Sequence, residues 1–213
     1  IKKDITKITI KDLGIKKIDY IFHFAGKGEI VPSIVYPKQY FYTNLMGTVN
    51  ILEVARKLKV KKFLYAASSS CYGIAKTPTN ENHKLDPKYP YALSKLMGEE
   101  AVLHWSKLYG IPAISIRIFN AYGPRVKTTG AYGAVLGVFF KQKLSNKPFT
   151  LVGDGKQRRD FLHVKDVANA FYLASIKKTK KKIFNLTIQP LKFLLRIFRC
   201  LTFTIIPSVK KIH

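Results

Sequence analysis

Cysteine is nearly missing from this 213-residue chain: Cys71 and Cys200 lie far apart, and the five histidines are scattered. That excludes a disulfide framework and a zinc-ligand spacing, leaves no metal ligand to nominate, and fits a reducing, cytoplasmic setting. Acidic residues are scarce as well, 12 against 38 lysines and arginines, and none follows Asp166. Much of the positive excess is therefore local to the C-terminal part, through Lys177, Lys178, Lys180, Lys181, Lys182, Lys192, Arg196, Arg199, Lys210 and Lys211. A net charge of +26 raises nucleic acid as a partner, but no aromatic-interleaved basic motif or zinc-finger spacing accompanies it. We read the run as a solvated surface and expect no nucleic acid. Nor does Ile1-Lys2-Lys3-Asp4 read as a signal sequence, since no apolar h-region follows it. Because the first residue is isoleucine and not methionine, we expect an N-terminal portion to be missing.

What is present is enough apolar sequence, 47%, for one sizeable core and part of a second lobe. The informative stretch is Tyr91-Ala92-Leu93-Ser94-Lys95, taken with Ser68-Ser69-Ser70-Cys71-Tyr72-Gly73 before it. The spacing of Leu93, Leu96, Met97, Ala101 and Leu108 predicts a helix over 91–109, which places Tyr91 and Lys95 one turn apart on one face. A fixed cation favours phenolate, so such a tyrosine can act as a base near neutrality. The spacing by itself is weak, since about two Tyr-x-x-x-Lys matches arise by chance in a chain so rich in both. A second one, Tyr72 and Lys76, does occur, but Gly73 and Pro78 argue against a helix there. Context favours Tyr91: the β-type run 62–67 delivers the serine cluster to a strand end just before the helix, where catalytic groups of open α/β sheets gather.

Further apolar runs frame this pair. Residues 18–24 read as a buried parallel strand closing on Ala25-Gly26, 37–59 as a proline-opened helix, and 112–120 as another strand. An apolar helix is expected near 134–143, and one over 166–175 with Asp166 as its acidic N-cap. Two signatures follow, Arg117-Ile118-Phe119-Asn120-Ala121-Tyr122-Gly123-Pro124-Arg125 and Val152-Gly153-Asp154-Gly155-Lys156-Gln157-Arg158-Arg159-Asp160-Phe161. With these motifs the chain resembles, from about Asp4 to Asn185, the extended short-chain dehydrogenase/reductases of the NAD-dependent epimerase/dehydratase family, sugar-nucleotide 4-epimerases closest.

The resemblance implies an α/β fold: a Rossmann-like doubly wound parallel sheet, incomplete at the N-terminus, with part of a small substrate-binding lobe. It implies NAD as cofactor, with Asp4 and Ile5 near the adenine, Phe24, Ala25, Gly26 and Asn44 along the dinucleotide groove, and Phe119 beside the nicotinamide. Tyr91, Lys95 and Ser68 become the catalytic residues, with Tyr91 and Lys95 also touching cofactor. Ser68, Ser69, Asn120 and Arg159 become contacts to a UDP-sugar, the Arg159 guanidinium suiting a diphosphate. The expected reaction is C4 epimerisation of a UDP-hexose through a 4-keto sugar, by a homodimer. Family members that eliminate water carry acids after the first hydroxyl residue; here Ser69 and Ser70 stand there, which disfavours elimination. Cys71, expected to face away on an extended segment, reads as packing.

The resemblance also exposes departures. The family's Gly-x-x-Gly-x-x-Gly phosphate loop is absent from these residues, and Gly26-Lys27-Gly28 does not replace it. We therefore expect residues 1–186 to form a partial NAD-binding domain with part of the substrate lobe, and 187–213 a divergent tail. In that tail Lys192, Arg196 and Arg199 interrupt an apolar run and share a helical face, a pattern open to an interfacial segment; we favour a shifted reading frame or an artificial end. Two alternatives remain: another NAD-dependent nucleotide-sugar conversion, or an inactive fragment whose basic surface holds a polyanion.

Overall fold

Short β-branched and aromatic runs without strict alternation form the strands, and the helical segments between them supply the covers. The strands over 62–68 and 113–118 are buried on both faces, whereas the one expected to be buried over 18–24 leaves Tyr20 and Phe22 exposed. The computed structural model describes residues 1–128, 135–152, 154–155, 158–187 and 209–212. Within it the chain separates into two compact units, residues 1–119 with 166–186, and 120–165 with 187–213.

The first unit is built on four parallel strands, β1 (Tyr20–His23), β2 (Lys62–Ser68), β3 (Ala113–Ile118) and β7 (Ile183–Leu186), in the order β1-β2-β3-β7. Register pairs Tyr20 with Lys62, Phe63 with Ala113 and Ser115 with Ile183. The order proceeds in one direction without reversing, so among the described residues this is one half of a doubly wound, Rossmann-like sheet. After the short α1 (Ile10–Leu13), the connection from β1 to β2 runs through α2 (Ile30–Val35), α3 (Pro37–Phe41) and α4 (Gly47–Lys57). The connection from β2 to β3 is α5 (Pro90–Tyr109), and α7 (Val164–Ile176) precedes β7.

Alternate residues of the strands divide the cover. Phe63, Tyr65 and Ala67 pack with Leu52 and Ala55 of α4 and Val102 of α5 into one core. Lys62, of the opposite parity, reaches α7 and donates from Nζ to the carbonyls of Ala174 (2.9 Å) and Lys177 (2.8 Å), capping the C-terminal end of that helix. Phe171 of α7 is buried against Phe24, their rings 4.4 Å apart.

Several boundaries differ from the sequence reading. The helix expected over 37–59 is interrupted by a π-helical turn, Tyr42–Met46, which turns Asn44 inward until it is 1% exposed. Gly47 admits the Ile5 side chain, since a Cβ there would stand 2.5 Å from Ile5 Cδ1. Helix α7 begins two residues before Asp166, which therefore lies in the first turn and is not the N-cap. Residues 69–72 form a 3-10 turn where an extended segment was expected, and Gly73 after it, at φ 60°, leaves no room for a side chain beside the Asp86 carbonyl.

The second unit contains two parallel pairs, β4 (Asn120–Tyr122) with β6 (Phe161–His163), and β5 (Phe149–Val152) with β8 (Val209–Ile212), together with α6 (Val135–Leu144). The strand read over 112–120 thus breaks at Phe119, and its last residue opens β4. His163 packs edge-on against Tyr122. The tail segment 191–199, with its expected basic face, lies outside the described residues. Among the described residues no helix is long and apolar enough to cross a membrane.

Candidate active site

In a parallel sheet all strands end on the same side, and three of them deliver the residues singled out in the sequence: Phe24–Gly26 after β1, Ser68 at the end of β2, and Phe119 after β3. Helix α5 crosses this end. Pro90 occupies its first turn and leaves Tyr91 at the mouth, while the helical period turns Ser94, Lys95, Gly98 and Glu99 inward.

Ser68 is the meeting point. The Tyr91 hydroxyl donates to Ser68 Oγ at 3.2 Å, the Ser70 amide donates to the same atom at 3.2 Å, and Ser68 Oγ in turn donates to Ser70 Oγ at 3.0 Å. Ser70 is thus a turn residue, as read, yet it also holds the Ser68 proton. One turn along α5 the Lys95 ammonium lies 4.3 Å from the Tyr65 ring centroid, and 3.8 Å from where a Cβ on Gly26 would stand.

The electrostatics differ from the sequence expectation. Burial raises the Tyr91 phenol above its ordinary value, and the Ser68 hydrogen bond only partly offsets this. Lys95 is brought down to about 8 by burial, with Glu99 opposing the fall. Sharing a helix face did not suffice to make the ammonium acidify the phenol, because Tyr91 reaches the strand end while Lys95 reaches back along β2 to Tyr65. His23, at the end of β1, is neutral: burial, then Lys95, take it to about 3, and its Nε2 lies 2.9 Å from Thr48 Oγ1.

Asn44 spans the site without facing outward. Its Oδ1 accepts from the Lys27 amide (2.7 Å), and its Nδ2 donates to the Lys27 carbonyl (3.0 Å) and to Ser94 Oγ (3.0 Å), tying the loop after β1 to α5. The remaining expected residues are more dispersed. Asp4 is exposed and accepts from the Thr6 amide and hydroxyl, while Ile5 rests on Gly47, its carbonyl taking a 2.7 Å bond from Asn50. Phe119 packs beside Cys71, Tyr72 and Leu96, and the buried Cys71 thiol is pushed up to about 11. Ser69 opens the 3-10 turn. Asn120 and Arg159 belong to the second unit: Asn120 Nδ2 donates to the Asp160 carbonyl (3.0 Å), and exposed Arg159 donates to the Arg158 carbonyl (2.8 Å). The described residues therefore bring together Gly26, Asn44, Ser68, Tyr91 and Lys95.

Gly98, Glu99 and Arg117 were missed as site-supporting residues. A glycine amid the apolar spacing of a helix, an acid one turn after Lys95, and an arginine inside an apolar strand were the available signals.

Ala25 and Gly26 are exposed, Gly26 lies beside the Lys95 ammonium, and a Cβ on Gly26 would stand 2.9 Å from Asn44 Oδ1. A floor that must stay bare beside a buried cation lets a ligand approach the backbone closely. The sequence profile of the NAD dependent epimerase/dehydratase family matches residues 1–187. The chain belongs to that family.

This family member is 37% identical over 164 residues to a putative UDP-glucose 4-epimerase of Methanocaldococcus jannaschii, covering 76% of the chain and 53% of the relative. It superposes on the UDP-N-acetylglucosamine 4-epimerase of Methanobrevibacter ruminantium M1, solved with UDP-N-acetylmuramic acid, at a TM-score of 0.81 and 28% identity, covering 88% of this chain and 60% of that one. The UDP-glucuronic acid 4-epimerase of Bacillus cereus, solved with NAD, gives 0.78 and 30%, covering 88% and 58%. This epimerase/dehydratase chain spans about half the length of the curated relatives it matches. NAD is the cofactor of its family.

Proposed function

We propose that this chain carries the catalytic residues of an NAD-dependent enzyme that epimerises C4 of a UDP-hexose in the cytoplasm. The observation that supports this best is the Tyr91–Ser68 hydrogen bond at the carboxyl end of β2, one helical turn from a buried lysine beneath Gly26. Lys95, Gly26 and the Asn44-held loop are the residues to hold the nicotinamide end of NAD, and Asp4 and Ile5 are proposed for its adenine. Bound there, NAD would supply reversible hydride chemistry at C4 of the sugar.

The protein's own part is proton handling. Tyr91, once ionised, takes the proton of the sugar O4, and Ser68 holds that oxygen in line. The Ser68 proton, given to Ser70 Oγ in this structure, is free to rotate toward O4 or the phenolate, because a hydroxyl has one donor and two acceptor positions. Ser69 and Ser70 supply no carboxylate, which supports epimerisation over elimination of water. Asn120 and Arg159 are proposed for the diphosphate or sugar: Asn120 Oδ1 can accept from a sugar hydroxyl, and an exposed guanidinium suits phosphate oxygens.

The direct test joins the chain to a first strand–helix unit with an intact Gly-x-x-Gly-x-x-Gly loop and assays UDP-glucose, UDP-galactose and their N-acetylated forms. Interconversion of a 4-epimer pair is expected. Tight NAD binding without turnover of any nucleotide sugar would reject the enzyme reading and favour the polyanion-binding alternative.

A homodimer is part of the proposal. Tyr42 and Met46 of the π turn and Leu93 and Met97 of α5 are exposed, one helical turn apart on adjoining helices, and form an apolar ridge suited to a second copy. Sedimentation should show a dimer for the chain, and Met97→Glu should shift it to monomer.

A further inference from the structure

Strand β3 is buried at every position except Ile118, yet it carries Arg117. The guanidinium is 2% exposed and grips Glu99 of α5, also 2% exposed, with Nη2 2.5 Å from Oε1 and Nε 3.1 and 3.2 Å from the two carboxylate oxygens. Further hydrogen bonds surround the pair. Ser115 Oγ donates to Glu99 Oε2 (2.6 Å), Arg117 Nη1 donates to the Tyr72 hydroxyl (2.6 Å), and that hydroxyl donates to Asn185 Oδ1 (2.7 Å). The Asn185 amide then donates to Glu81, which Lys181 pairs at 2.9 Å.

A buried ion pair is weak as a stabilising device, since desolvation of both ions consumes most of their attraction, and apolar residues of the same volume often serve as well. This one is placed where charge has another use. Glu99 follows Lys95 by one turn on the same inward face of α5. The groups around the Lys95 ammonium are otherwise neutral: Tyr91 on α5, Tyr65 on β2, His23 on β1, and Asn44 on the π turn. Arg117 stands on β3 beside Glu99, and its bonds to both carboxylate oxygens hold that side chain in place.

We propose that Glu99, held by Arg117, is a positioning residue that supplies the buried negative charge keeping Lys95 a cation. This rests on the proposed cofactor site, in which a charged Lys95 holds the nicotinamide end of NAD. Burial alone draws the lysine toward its neutral form, and Glu99 opposes it. Two neutral polar groups in place of the pair would hold the same shape without that field.

The test reads Lys95 itself. In the 213-residue chain labelled with ¹³C-lysine, the Lys95 ε-methylene resonance, assigned with Lys95→Met, should titrate near 8. Glu99→Gln should move the midpoint down by about one pH unit or more, the usual size for loss of a close opposite charge. Because that variant strands a buried guanidinium, the deciding protein is Glu99→Gln with Arg117→Met, which leaves no unpaired charge and should also titrate lower than the parent. An unmoved midpoint in the double variant overturns the inference. So does a double variant that cannot fold, because the pair would then be holding the structure together instead of tuning the lysine. A lowered midpoint in a chain whose fused form turns over no nucleotide sugar leaves this inference standing and removes the epimerase reading. An unmoved midpoint in an active fusion does the reverse.

Discussion

Replacing Tyr91 with phenylalanine should reduce epimerisation by the fused chain between about a hundredfold and ten-thousandfold, the range for loss of a positioned general acid or base. The fold should survive, because the ring keeps its place beside Tyr40, centroids 6.5 Å apart, and only one hydroxyl and its bond to Ser68 are lost. NAD affinity should hardly change, since Lys95 and the Asn44-held loop remain. The measurement is kcat with UDP-galactose beside a direct binding isotherm for NAD. A loss below tenfold would mean that another group moves the proton, and the proposed role of Tyr91 would have to be abandoned.

The second large effect is on stability. Gly98→Ala should destabilise the chain by about 2 kcal/mol or more, although alanine favours a helix by about 1 kcal/mol over glycine. A Cβ at position 98 would stand 2.3 Å from Tyr65 Oη and 3.0 Å from the Asn44 carbonyl oxygen. Neither can retreat easily: Tyr65 is fully buried and donates to the Lys95 carbonyl, and Asn44 is clamped between Lys27 and Ser94. Urea unfolding of the two proteins decides it. Gly28→Ala is the control, as nothing lies within 4 Å of its added carbon, and it should stay within about 0.5 kcal/mol of the parent. If Gly98→Ala matched that control, the close approach of α5 to β2 and the π turn would not be what the glycine serves.

These two residues mark what could and could not be read in the chain. The placing of Tyr91 was legible because spacing on a helix is a local property: 3.6 residues per turn put Tyr91 and Lys95 on one face before any partner is known. The strand runs that became β1, β2 and β3 were legible for the same reason, as continuous apolar stretches ending in small or hydroxyl residues. The family motifs extended that reading to the cofactor and the class of reaction.

Gly98 was not legible, because nothing in its neighbours says that Tyr65, thirty-three positions earlier, crosses beneath it. Arg117 and Glu99 stand eighteen positions apart and meet only when β3 is laid beside β2 under α5. The π turn that buries Asn44 interrupts a pattern that otherwise reads as plain helix.

The sequence by itself determined the parallel α/β scaffold, the face shared by Tyr91 and Lys95, and the hydroxyl cluster at the end of β2, since each depends on residue type and period along a short segment. The tertiary structure alone decided where those side chains point and what charge they bear. Burial raises the phenol and lowers the ammonium, and which of Tyr65, Asn44 and Glu99 lies against Lys95 depends on how distant segments pack, which no local period records.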